Sequence, residues 1–116
     1  MPSVAEYADS KNLRVAGGAT DTSGGVVVPN GTKVGITRFI ASASANTTIL
    51  LTWDWGGAGQ MVFSSTRTAI EASVDSGLAF NQVAGDGVKK LQIIIINDGL
   101  TQSPWVSGYF EADEVD

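Results

Sequence analysis

Hydrophobic and polar residues alternate with a period of two along most of the chain, and clusters of glycine interrupt the alternation at short intervals. This pattern predicts half-buried β-strands joined by tight turns. Val26-Val27-Val28 reads as a short strand ended by the turn residues Pro29-Asn30-Gly31. Lys33 to Ala43 follows, with Val34, Ile36 and Ile40 expected on one face and Phe39 on the other. Ser44-Ala45-Asn46 turns the chain into Thr47–Trp55. There Ile49, Leu51, Trp53 and Trp55 share a face, and Thr48, Leu50, Thr52 and Asp54 take the opposite one. Gly56-Gly57-Ala58-Gly59 closes this strand, and Gln60–Ser65 returns with Met61 and Phe63 on one side.

Thr66–Val74 reads as further strand, with a short helix as the rival, and Leu78–Val83 as a weak strand. The strongest strand is Val88–Ile96, where Leu91, Ile93 and Ile95 line one face while Ile94 and Ile96 line the other. Asn97-Asp98-Gly99 breaks it. The last strand, Trp105 to Ala112, sets Trp105, Ser107 and Tyr109 opposite Val106, Gly108, Phe110 and Ala112. Residues 1–13 show no strand alternation and read as an N-terminal arm, leaving 14–116 as the domain. About eight strands without a long helix predict an all-β fold: a single antiparallel β-sandwich, jelly-roll-like. The Cys…Trp…Cys pattern of immunoglobulin domains is absent.

Composition narrows the chemistry. With 116 residues there is room for one domain, and size scaling gives a folded surface of roughly 6,000 Å². Hydrophobic residues make up 43% and charged residues 16%, a balance that supports a core. The chain has no His and no Cys. Thiol nucleophiles, imidazole bases, disulfides and thiolate or imidazole metal sites are therefore excluded. A paired-carboxylate glycosidase needs a cleft that a domain of this size rarely builds, so the expectation is a protein without catalytic activity.

The net charge is −5, and apart from Lys89-Lys90 the basic residues are scattered, which argues against a nucleic-acid partner. The opening residues lack the basic and apolar regions of a signal peptide, and no apolar run is long enough for a membrane helix.

Trp53-Asp54-Trp55 is the most conspicuous short motif, because its indoles fall on one face of a strand. An aromatic platform of this kind holds sugar rings. The alternatives are that Trp53 and Trp55 fill the core or meet a protein partner. Trp105 and Tyr109 also share a face, and are candidates for either core or subunit interface. Ile94 and Ile96 oppose an already apolar face, which calls for a second cover, a neighbouring subunit or another part of the chain, with simple exposure as the remaining alternative. Asp54, Asp86, Asn97 and Asp98 offer oxygens near loops, but they lack EF-hand spacing and read as turn residues. No cofactor or metal is expected.

The stretch from Lys33 to Trp53, together with Val106-Ser-Gly-Tyr-Phe-Glu-Ala112, resembles small all-β virion proteins of tailed bacteriophages, such as head decoration and cement proteins. The resemblance covers residues 33–112 in style. It implies a structural virion component made in the host cytoplasm, bound to the major capsid protein as a homo-oligomer, with a trimer favoured. Residues 1–13 would then grip the capsid or a neighbouring copy. A carbohydrate-binding or host-attachment module using Trp53 and Trp55 is the alternative.

Overall fold

The computed structural model describes residues 7–68, 71–74, 82–99 and 101–115, with side chains over 7–65, 82–99 and 101–115. In chain order the strands are β1 (Tyr7–Arg14), β2 (Thr20–Asp21), β3 (Val26–Val27), β4 (Lys33–Ala43) and β5 (Thr47–Trp53). They continue with β6 (Met61–Thr68), β7 (Glu71–Val74), β8 (Gln82–Ala84), β9 (Lys90–Ile96) and β10 (Trp105–Glu114).

Two antiparallel sheets form a sandwich. The first has the order β1-β10-β4-β7, with β8 also pairing with β4; the second has the order β2-β9-β5-β6, with β3 also pairing with β9. The chain crosses between sheets after β1, β3, β4, β6, β8 and β9. With β2/β3 and β7/β8 each acting as one interrupted strand, eight strand positions in this order make a jelly roll. The accessible surface is 6174 Å², close to the size-scaling expectation.

The inner faces pack Val34, Ile36, Phe39, Ala41, Val106, Phe110 and Ala112 of the first sheet against Ile49, Leu51, Trp53, Leu91, Ile93 and Ile95 of the second. Gly108 lets the sheets approach, since a Cβ there would lie 3.2 Å from Ile93 Cδ1.

Three departures from the sequence reading have physical causes. Residues 7–13, assigned to the arm, belong to β1, which pairs with β10 from Tyr7↔Ala112 to Arg14↔Trp105. The remaining arm residues, 1–6, lie outside the described residues. Phe39 faces inward and Ile40 outward, the reverse of the expected arrangement. The β10–β4 register shifts where Glu111 opposes Arg38 but Ala112 opposes Ile36, and one extra residue flips every later side chain. The stretch Thr66–Val74 is not one strand. β6 ends at Thr68 in the second sheet, and β7 begins at Glu71 in the first. The weak strand at Leu78–Val83 is represented by β8; residues 75–81 lie outside the described residues.

Candidate functional site

The outer face of the first sheet is a lattice whose rows are set by strand register. One row runs Ser10–Tyr109–Ile40, and the next Asn12–Ser107–Ser42. A further row sets Arg14 beside Trp105, and on the opposite side Ala8 lies beside Glu111 and Arg38. Alternation turns these positions away from the core, because the intervening Lys11, Gly108 and Ala41 are buried.

The small row lies between two aromatic residues. Tyr109 and Trp105 are four residues apart on β10, about 14 Å at strand rise, and only Ser107 stands between them on that face. The result is a shallow open groove of about 320 Å³ lined by Ser10, Asn12, Ile40, Ser42, Ser107 and Tyr109, with Lys11 and Gly108 completing its floor. Its side chains offer hydroxyls, one amide, an aromatic ring and an aliphatic wall.

Both aromatic side chains are held in place. The Tyr109 hydroxyl donates to Glu111 Oε1 at 2.6 Å. That hydrogen bond, with some burial and the nearby Glu111 charge, raises the phenol's pKa above its ordinary value; Arg38 opposes the rise. Trp105 is 54% exposed and carries the Arg14 guanidinium 5.2 Å from its ring centroid, a cation–π contact. Its backbone N–H donates to Ser44 Oγ at 3.0 Å, which extends the β4–β10 pairing beyond the strand end.

Lys11 contributes no charge to the groove. Its ammonium points between the sheets, donating to Asp21 Oδ2 at 2.7 Å and to the Ile93 carbonyl. Its side chain is 4% exposed. Burial alone would raise the pKa of Asp21, but hydrogen bonds from Lys11 and Ser23 outweigh burial and hold it below the ordinary carboxylate value. Beside this pair, Asp9 Oδ2 accepts the Gly25 N–H at 2.9 Å. β1 is thus clasped to the edge of the second sheet.

The residues singled out in the sequence are not all brought together. Trp53 is a core residue, 4% exposed. It forms no exposed platform with Trp55, which is half-buried in the turn after β5. The alternation fails there because Asp54 takes φ +54° and turns the chain out of the strand. The Asp54 carboxylate accepts the Gly59 N–H at 3.1 Å and organises that turn. Asp86 Oδ1 and Asn97 Oδ1 accept turn N–H groups in the same way.

Ile94 is fully buried within the single chain, beside Leu50 on the face turned away from the first sheet. It offers no surface to a neighbour; Ile96 is half-buried. Trp105 and Tyr109 do share an exposed face, and they bracket the groove. Ser10, Asn12, Ser42 and Ser107 had no distinguishing signal in the sequence. They come from three separated strands, and only the register aligns them.

A scan of family models finds no match, and neither does a comparison with curated proteins. Among solved structures, the chain is similar to the Yersinia pseudotuberculosis-derived mitogen, with a TM-score of 0.49 and 12% identity over 93% of this chain and 86% of that one. It is also similar to a structure described as "CBM4 structure and function", with a TM-score of 0.47 and 17% identity over 93% of this chain and 82% of the other.

Proposed function

We propose that this chain is a carbohydrate-binding β-sandwich module whose ligand lies in the groove on the outer face of the first sheet. The observation that carries this reading is the row Asn12–Ser107–Ser42, small and rich in hydrogen-bonding groups, held between Tyr109 and Trp105. Sugars present hydroxyls at their edges and C–H groups on their faces, and a hydroxyl- and amide-lined trough with aromatic borders meets both needs. The binding role passes from the Trp53/Trp55 pair to Trp105 and Tyr109, since Trp53 lies in the core.

The test is glycan binding by calorimetry. Tyr109→Ala removes a wall, and Ser107→Trp fills the trough. Each is expected to weaken binding by about tenfold or more, the equivalent of about 1.4 kcal/mol, with the circular dichroism spectrum unchanged. Trp55→Ala is expected to bind like the parent. Parent-like binding by both groove variants would overturn the proposal.

A structural virion role is the second reading. It is favoured by the strand order, because jelly rolls are a common architecture of viral capsid domains as well as lectins, and fold alone does not choose between them. It predicts a homo-oligomer, a trimer first, that binds phage heads. A monomer in sedimentation at high concentration that fails to bind heads counts against it. The readings are compatible in a virion part that attaches to host glycans.

A further inference from the structure

Resting on the carbohydrate reading of the groove, we infer that the ligand is an uncharged glycan, and that a segment of about two sugar rings, lying across the strands, makes all of the direct contacts. The charge argument starts from the lattice. On β1, β10 and β4, the outward side chains of the two central rows are Ser10, Tyr109, Ile40, Asn12, Ser107 and Ser42, and none is charged. The lysine beneath them is turned inward, its ammonium held by Asp21 and the Ile93 carbonyl. At one end the Arg14 guanidinium lies over the Trp105 ring.

An acidic group lies where an acidic sugar would meet repulsion. Glu111 borders the Tyr109 side and accepts that residue's hydroxyl, and the chain as a whole carries a net charge of −5. A uronate or sialate carboxylate centred over these two rows would lose water and find no cation among their six side chains, since the guanidiniums of Arg14 and Arg38 stand in the rows beyond them. Such a loss is costly in a partly desolvated site. A neutral sugar faces no such penalty. Its hydroxyls meet groups that both donate and accept, the serine hydroxyls and the Asn12 amide.

The size argument is geometric. The small row crosses three strands, two inter-strand spacings or about 10 Å, which is the length of a disaccharide. Along β10 the Tyr109 and Trp105 side chains stand on either side of it, so the chain of sugars runs across the strands and not along them. Units beyond the second extend past Ser42 or past the β1 edge, away from the six side chains of the two rows.

The probes are neutral hexose oligomers of one to four units, in several linkages, and the corresponding uronate oligomers. Binding is followed by calorimetry and by the fluorescence of the exposed Trp105. The expected result is an affinity that rises at least tenfold from one unit to two and then levels off. It should change by less than about twofold between low and physiological salt, because no ion pair forms. Tighter binding of uronates, a strong salt dependence, or an affinity that keeps climbing to four units overturns this inference while leaving the carbohydrate reading intact. Absence of binding by every neutral and acidic oligomer overturns both.

Discussion

At the residue scale, the Lys11–Asp21 pair shows how a charged strand is accommodated inside a sandwich. Inner positions of β1 alternate Tyr7, Asp9, Lys11 and Leu13, and the two charged residues hide the alternation that an apolar set would have shown. Each is nonetheless satisfied: Asp9 by the Gly25 N–H, Lys11 by Asp21 and the Ile93 carbonyl. Asp21→Ala leaves the Lys11 ammonium buried with one carbonyl partner, and is expected to cost about 3 kcal/mol in urea denaturation. A loss below about 0.5 kcal/mol, the range of ordinary surface changes, would show that the pair does not clasp the sheets.

The same pair sets an acid limit. The Asp21 pKa is lowered in the folded state from its ordinary value of 3.8. Its contribution is therefore fully present above that value and is lost as pH falls through the folded pKa. Thermal melts of the parent and of Asp21→Asn are expected to converge below pH 3.8 and to separate above it. Parallel curves across that range would contradict the assignment.

At the element scale, most of the strands were legible because their alternation is apolar on one side. β4 begins and ends where the pattern places it, β5 ends two residues early at the Asp54 turn, and β9 and β10 shift only at one end. The errors have a common source in single residues that break the count of two. The bulge near Thr37 exchanges Phe39 and Ile40 between faces, and the positive φ at Asp54 ends the face that Trp53 and Trp55 were expected to share. A bulge depends on pairing with another strand, so one strand's residues do not reveal it.

The loop after β9 depends on a side chain equally invisible to pattern. Asn97 is 2% exposed. Its amide donates to the Val15 carbonyl at 3.0 Å and the Gln102 carbonyl at 2.8 Å, and its oxygen accepts the Gly99 N–H. Asn97→Ala strands these backbone groups and is expected to cost about 1–3 kcal/mol. Hydrogen exchange should show the loss first at Gly99, whose N–H loses its partner; unchanged protection there would refute the role.

At the scale of the whole molecule, the sandwich and its jelly-roll character follow from strand number and the absence of a long helical pattern. The groove does not, because Ser10, Ser42 and Ser107 are ordinary serines until β1, β10 and β4 lie side by side. Among the described residues, four exposed large apolar side chains lie at the end of the second sheet where β6 and β9 begin, Val27 and Val88 toward its β3 side and Met61 and Val62 on β6 across β9 and β5. This end is the surface a second copy would cover under the virion reading. Val62→Asp is then expected to convert an oligomer to a monomer in sedimentation velocity without altering glycan binding. An oligomer unaffected by the change would place the contact elsewhere.

The placement of β10 also governs the order in which the molecule can be made. It lies between β1 and β4, so the strand nearest the C-terminus is the one that joins the strand nearest the N-terminus to the rest of its sheet. A nascent chain has β1, β4 and β9 outside the ribosome before Trp105 has emerged, and sheet one has no centre until then. Its long-range pairings close late and slowly, and completion of sheet one waits for β10. Chains that stall before β10 present unpaired strand edges to one another, and aggregation of such truncated products is the cost of this topology.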